Sequence, residues 1–374
     1  MRKMVNPAFK VNNLKAMVEV FDDKAKVLAK YWNGIISAKS KSNAKKECHL
    51  FVQNDLNRMS LDALGECVFG FEFNTIEAGD TIISRAFTDL CAGLNPTTKS
   101  FSRNLLLWFP FLKCFMKSVI KREEALKTIS CVIKQIIDGK REKKPDISTT
   151  RKDLLDRLLE AVDDETGQGM DEEELFGEVF TFLFAGHETS SIALSWILYH
   201  LAQYPDIQEK IRREVKETLT EQEGSWEAYE SMEYLTAVIN ESMRLRPPIA
   251  VYRRKVIQDD NILGYNIPAD SVIIIPPYVL HRKPEYWSDP ETFNPDRFLE
   301  SNNPNNRYTF LPFSNGPRIC IGYRFALMEI KVVVATLIRE FSFSMIPGMS
   351  FAGSISVSYK PEPNLELLVR KVSG

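Results

Sequence analysis

Cys320 is set apart from the other cysteines of this chain by its surroundings, Phe313-Ser314-Asn315-Gly316-Pro317-Arg318-Ile319-Cys320-Ile321-Gly322, a loop that feeds a long helical pattern. A sulfur just ahead of a helix N-terminus meets unpaired backbone N–H groups and the positive end of the helix dipole, and both favour thiolate over thiol. A thiolate is a metal ligand. Gly322 removes a Cβ where something flat and bulky would approach, and Arg318, two residues before the sulfur, is placed to pair with an anionic group on the same ligand. A second constellation, Ala185-Gly186-His187-Glu188-Thr189-Ser190, puts an acid beside a hydroxyl inside an apolar segment; by itself it reads as a polar patch where one helix meets another. His187-Glu188 begins the zinc pattern H-E-x-x-H, but the last position is Ser191, so that site lacks a ligand. His49, His187, His200 and His281 do not cluster in sequence, and His281 reads as a structural residue. Cys48, Cys67, Cys91, Cys114 and Cys131 lie in helical or apolar patterns and read as buried, inert thiols.

The elements that must position these groups are predominantly helical. Periodicity predicts helices over 15–38 and over 56–69, the second ending at Gly70. An amphipathic helix is predicted over 117–141, with lysines opposite Val119, Ile120, Ile129, Val132, Ile133 and Ile136. The basic stretch that ends it, 139–145, reads as a solvated loop. The acidic linker 163–174 suits the positive end of a helix dipole, and the apolar segment that follows runs to Tyr204-Pro205. Between Glu178 and Asp206 the only charged residue is Glu188. A carboxylate near the middle of a bilayer costs about 2.5–3.5 kcal/mol even on a lenient scale, so this reads as a helix buried all round in a large core. After Pro247-Pro248 the pattern turns to short β-rich runs over 250–257 and 271–276, with Gly264 and Pro268 at a turn between them. The stretch 282–312 is a long meander, one more helix is predicted over 322–341, and 342–372 reads as strands. The fold class expected is mostly α with small β-sheets.

With 374 residues, 48 Lys+Arg against 50 Asp+Glu and a net charge of -2, the chain has room for a sizeable core and lacks the positive field of a nucleic-acid binder. Singly scattered cysteines with no C-x-x-C pair suit a reducing, intracellular compartment. The first residues carry no apolar signal or anchor segment. The run 105–112 is too short to span a bilayer.

Phe313-x-x-Gly316-x-Arg318-x-Cys320-x-Gly322 resembles the haem-binding signature of the cytochromes P-450. Five fixed positions at roughly 1 in 20 each give on the order of 10⁻⁴ chance matches in such a chain. The resemblance implies that Cys320 is the proximal iron ligand of haem b (iron protoporphyrin IX), with Arg318 on a propionate. It implies that Glu241-Ser242-Met243-Arg244, just ahead of Arg246-Pro247-Pro248, forms a structural lock with Arg297 of Phe293-Asn294-Pro295-Asp296-Arg297-Phe298. It also makes Ala185, Gly186, Glu188 and Thr189 the oxygen-activating motif, with Glu188 and Thr189 relaying protons.

Arg2 resembles the propionate-binding arginine at the end of helix C, and Arg253 or Arg254 is a further candidate. The stretch 60–71 is similar to helix E, so the likeness runs from Arg2 to the C-terminus. The chain is therefore read as one incomplete domain over 1–374, truncated before or within helix C, and expected by itself to retain haem poorly. The function implied is monooxygenation of a small apolar substrate with O2 and electrons from an NADPH-dependent flavoprotein reductase, at the endoplasmic reticulum membrane in the full-length form. The alternatives are a non-catalytic remnant and a haem-thiolate isomerase or dehydratase, which the Glu188-Thr189 pair disfavours. Phe182, Phe184 and 249–252 are expected in the pocket, and 105–112 to be either core or membrane contact.

Overall fold

A computed structural model describes residues 2–40, 47–92, 117–142, 152–162, 167–221, 224–299, 308–355 and 357–372. The expectations over 105–112, at Cys114, over 143–145 and over 163–166 lie outside the described residues.

Short helices α1 (Arg2–Val5) and α2 (Val11–Lys15) lead into α3 (Val18–Ser40), so the pattern expected over 15–38 is interrupted by a turn at 16–17. Strand β1 (Glu47–Leu50) precedes α4 (Val52–Phe69), which stops where Gly70 takes a left-handed conformation, φ 58°. Helices α5 (Thr75–Ala78) and α6 (Ile82–Ala92) follow. The amphipathic prediction becomes α7 (Lys117–Glu142). Its Ile129, Ile133 and Ile136 are buried, but Ile120 is exposed, and so is Cys131, which corrects the expectation of a buried thiol there. Then come α8 (Leu154–Glu160), α9 (Glu172–Gln203), α10 (Pro205–Glu221), α11 (Trp226–Ser231) and α12 (Glu233–Leu245).

The C-terminal part alternates strands with short helices: β2 (Tyr252–Lys255), β3 (Asp260–Ile262), β4 (Tyr265–Ile267), β5 (Val272–Ile275) and α13 (Pro277–Leu280). After the meander come α14 (Tyr323–Glu340), β6 (Phe341–Ser344), β7 (Ala352–Ile355), β8 (Tyr359–Glu362) and β9 (Leu367–Lys371). All pairings are antiparallel: β1-β9-β6 form a three-stranded sheet, and β2-β5, β3-β4 and β7-β8 form two-stranded ones. The turn expected around Gly264 is thus a hairpin in its own right, inserted between the predicted pair β2 and β5.

Helix α9 carries the structure. Asp171 accepts from Glu174 N at 2.8 Å while Glu174 returns the bond to Asp171 N at 3.2 Å, a capping box that sets the helix start. Every residue from Ser190 to Ala202 is buried, and among the described residues no helix is long and apolar enough to cross a membrane. Its closest companion is α4: a Cβ added to Gly186 would lie 2.7 Å from Leu64 Cδ1, so glycine permits that approach. Trp32 anchors α3 in the same core, its ring edge-on to Phe341 and Phe343 and its Nε1 donating to Asp55 at 2.8 Å. Buried Asp62 of α4 accepts from Thr75 N, Ile76 N and Thr75 Oγ1 at 2.8, 3.0 and 2.7 Å, satisfying the first turn of α5. Asp62→Ala strands those buried donors and is expected to lower stability by about 1–3 kcal/mol; an unchanged midpoint in urea denaturation would contradict this role.

Candidate functional site

The loop carrying Cys320 is built by local bonds. Asn315 caps a 3-10 turn at Gly316–Arg318, Gly316 takes φ 72°, and Cys320 N donates to Phe313 O at 2.9 Å, which folds the loop back on itself. Tyr252 of β2 clamps it from outside: its hydroxyl donates to Leu311 O at 2.7 Å and accepts from Ser314 N at 3.0 Å. Arg2 reaches in from α1 and donates to Ile319 O at 2.6 Å. Cys320 is surface-accessible, but the surface it meets is the wall of a cavity of about 370 Å³. That enclosure opposes the helix-end argument for a thiolate: burial pushes the thiol up, while the Gly322 N–H and the nearby Arg2 charge favour ionisation.

The cavity is apolar and is lined by Phe313, Cys320, Ile321 and Gly322 of the loop together with Phe182, Ala185, Gly186 and Thr189 of α9. Arg318 and Arg254 supply its cations. Strand alternation decides between the two candidate arginines: Arg254 shares the face of Tyr252 and bonds Ser314 Oγ at 3.2 Å, whereas Arg253 points to solvent. Gly322 lines the space without a tight demand on its Cβ, whose nearest neighbour would be Phe9 at 3.8 Å. Phe182, Ile249 and Tyr252 are at the cavity as expected; Phe184 is not among its walls and stacks instead on Phe180 at 6.1 Å. Phe9, Leu64 and Val68 also line the cavity; they lie in segments that the family likeness covered, but nothing in their spacing marked them as cavity residues.

A flat apolar ring with a metal at its centre and carboxylates on its edge fits this donor set. A soft sulfur ligand, mostly apolar walls and two guanidiniums line the cavity.

Glu188 and Thr189 do not act as neighbours here. Successive helical residues point about 100° apart. Thr189 borders the apolar cavity and donates to Ala185 O at 2.8 Å. Glu188 turns into a second, polar cavity of about 600 Å³, where it accepts from Cys91 Sγ and, at 2.8 Å, from Ser358 Oγ. Cys91 is therefore a hydrogen-bonded partner of the acid rather than a packing residue, and burial beside that carboxylate pushes its thiol well up. His187 is fully buried, its Nδ1 on Leu183 O at 2.6 Å and its Nε2 unpartnered. Among the described residues no group of three or more His, Cys, Asp and Glu is arranged to hold a metal ion.

The three residues proposed as a lock meet in one buried network. Arg244 Nε and Nη2 bond Glu241 Oε2 and Oε1 at 2.7 and 2.9 Å, and Arg297 Nε bonds Oε1 at 3.1 Å. Asn294 N adds a fourth donor at 2.8 Å. Arg244 also donates to the carbonyls of His281, Pro290 and Thr292, tying α12 to the meander. His281 is structural: its Nε2 accepts from Leu311 N at 2.8 Å, two residues ahead of the Cys320 loop.

Comparison with known proteins places the chain in one family. A family model described as Cytochrome P450 matches residues 1–367. Over its full length the chain is 34% identical to cytochrome P450 4F4 of Rattus norvegicus, covering 70% of that protein. With cytochrome P450 4B1 of the same species the identity is 33% over 92% of this chain and 67% of the relative. Leukotriene-B4 omega-hydroxylase 3 of Mus musculus is 33% identical, over 100% of this chain and 70% of its own length.

Proposed function

Because this chain belongs to the cytochrome P450 family, whose members are haem-binding monooxygenases, we propose that its apolar cavity oxygenates a lipophilic substrate with Cys320 as the iron ligand. The observation that carries the proposal is that Cys320 of the loop and Gly186 and Thr189 of α9 line one apolar cavity. Haem, when bound, supplies the chemistry that activates O2 and inserts one of its atoms into substrate. Arg254 and Arg318 would pair with its propionates, and Arg2 steadies the ligand loop through Ile319 O. On the α9 wall, Gly186 and Ala185 would border the space beside the ring, and the room Gly186 leaves by lacking a Cβ is taken up by Leu64 of α4. Thr189 offers the hydroxyl on that wall, and turning away from Ala185 O frees it to donate into the cavity. Glu188 reaches the same space only by leaving Cys91 and Ser358, so its part in proton delivery requires a rotation.

The substrate class is a long apolar chain bearing an acid, as the relative acting as a leukotriene-B4 omega-hydroxylase suggests. Electrons come from an NADPH-dependent flavoprotein reductase, at the endoplasmic reticulum membrane. One contiguous core from Val5 to Val369 favours a single domain. The assembled cavity favours haem retention over the non-catalytic remnant. The test is incubation of the haem-loaded protein with reductase, NADPH, labelled O2 and a long-chain fatty acid. One labelled oxygen atom in a hydroxylated product is expected. Equal turnover of a hydroperoxide without NADPH and O2 would instead establish the isomerase or dehydratase reading.

A further inference from the structure

Behind the wall that α9 presents to the cavity lies a carboxyl with no part in the chemistry above. Glu329 of α14 is 1% exposed, and Ser60 of α4 donates to its Oε1 at 2.6 Å. Its other oxygen, Oε2, is buried without a hydrogen-bond partner, and so is Ser190 Oγ on α9. Ser190 nevertheless lies close enough to favour the ionised carboxyl, and it borders the cavity next to Thr189. Sealed polar atoms left unpaired cost free energy and call for a reason.

We propose that Glu329 is a positioning residue of this cavity: reaching Ser190 from the buried side, it sets the direction of the Ser190 O–H and with it the polarity of the wall beside Thr189. The inference rests on the cavity being the haem site. With a proton on its carboxyl, Glu329 donates to Ser190 Oγ, and the serine hydrogen is released towards the cavity wall. Without that proton, Ser60 and Ser190 both donate to the carboxylate, and the wall loses a donor. One proton is exchanged with solvent, and only O–H bonds change.

Burial pushes the Glu329 carboxyl up to about 7, against the two hydroxyls that favour ionisation. Those hydroxyls, Ser60 from α4 and Ser190 from α9, are the polar groups that face it, and among the described residues no cation forms an ion pair with it. The donor-bearing wall therefore dominates below about pH 7 and the donor-free wall above it. Glu188, the carboxyl on α9 itself, is engaged in the other cavity.

The test uses reduced holoprotein with carbon monoxide as the probe, whose infrared stretch senses donors on the facing wall. Two bands that exchange across about pH 7 are expected in the wild type, and one pH-independent band in Glu329→Gln and in Ser190→Ala. A protonated-carboxyl band should fade over the same range, be absent in Glu329→Gln and shift in Ser190→Ala. Exchange that persists in Glu329→Gln, or a wild-type stretch that stays fixed while the carboxyl titrates, would overturn the inference. Failure of carbon monoxide to bind would instead count against the haem reading; the carboxyl band then still decides the link to Ser190, and no shift in Ser190→Ala would refute it.

Discussion

Glu241→Ala is expected to destabilise the protein by about 3–5 kcal/mol, the scale for removing one partner of a buried ion pair. Three side chains explain the size of the effect. Arg244 is fully buried and Arg297 nearly so, and both direct guanidinium N–H groups at the Glu241 carboxylate. Their remaining bonds go to carbonyls, which cannot neutralise a charge. Truncation therefore leaves two cations uncompensated in a dry site. The loss is a large share of the roughly 5–15 kcal/mol by which domains are usually stable. Chemical denaturation should show a much lower midpoint, with the region around Trp287 opening first because its ring packs 5.2 Å from the Arg244 guanidinium. The exposed pair Lys210–Asp296 is the control: Asp296→Ala should cost no more than about 1 kcal/mol. Equal effects of the two substitutions would show that Glu241 is not a lock.

Cys320→Ser is expected to leave the fold intact and to remove turnover. The loop is held by backbone and tyrosine bonds, none of which uses the sulfur: Cys320 N to Phe313 O, Asn315 to Gly316 N, and the Tyr252 hydroxyl to Leu311 and Ser314. Replacing sulfur by oxygen costs little packing, but it exchanges a soft anionic ligand for a neutral hydroxyl. Product formation should fall on the order of 10³-fold or more, as when a central catalytic group is removed. The thermal midpoint of the protein without haem should stay within a degree or two, about the effect of a small ΔΔG in a chain of this size. A variant that unfolds, or one that retains turnover, would contradict the assignment.

What could be read from the sequence was local. The turn-rich Cys320 loop, the acidic start of α9 and the end of α4 at Gly70 are set by neighbours within a few residues and appear as expected, while the Asp171–Glu174 capping box at that start is added by the structure. The lock joins Glu241 to an arginine 56 residues away, so its spacing alone carries no signal; the family resemblance supplied the partner. Side-chain direction was not legible. That Glu188 leaves Thr189 for Cys91 and Ser358 depends on the packing of α6 and the β7-β8 hairpin, which meet α9 only in three dimensions. The same holds for Phe182 over Phe184 and for Arg254 over Arg253, where two residues of helical rotation or one of strand alternation decide the matter. Ser190 and Glu329 were hidden for a further reason: a buried carboxyl in an amphipathic helix looks like any surface acid until its neighbours are known.

The claim that Cys320 ligates a haem in the cavity between its loop and α9 is tested most directly by the Soret band of the haem-supplemented protein after reduction under carbon monoxide. A thiolate-type band in the wild type that is lost in Cys320→Ser is the result this assignment predicts. A band of the same type in both proteins, or a histidine-type band in the wild type, would contradict it.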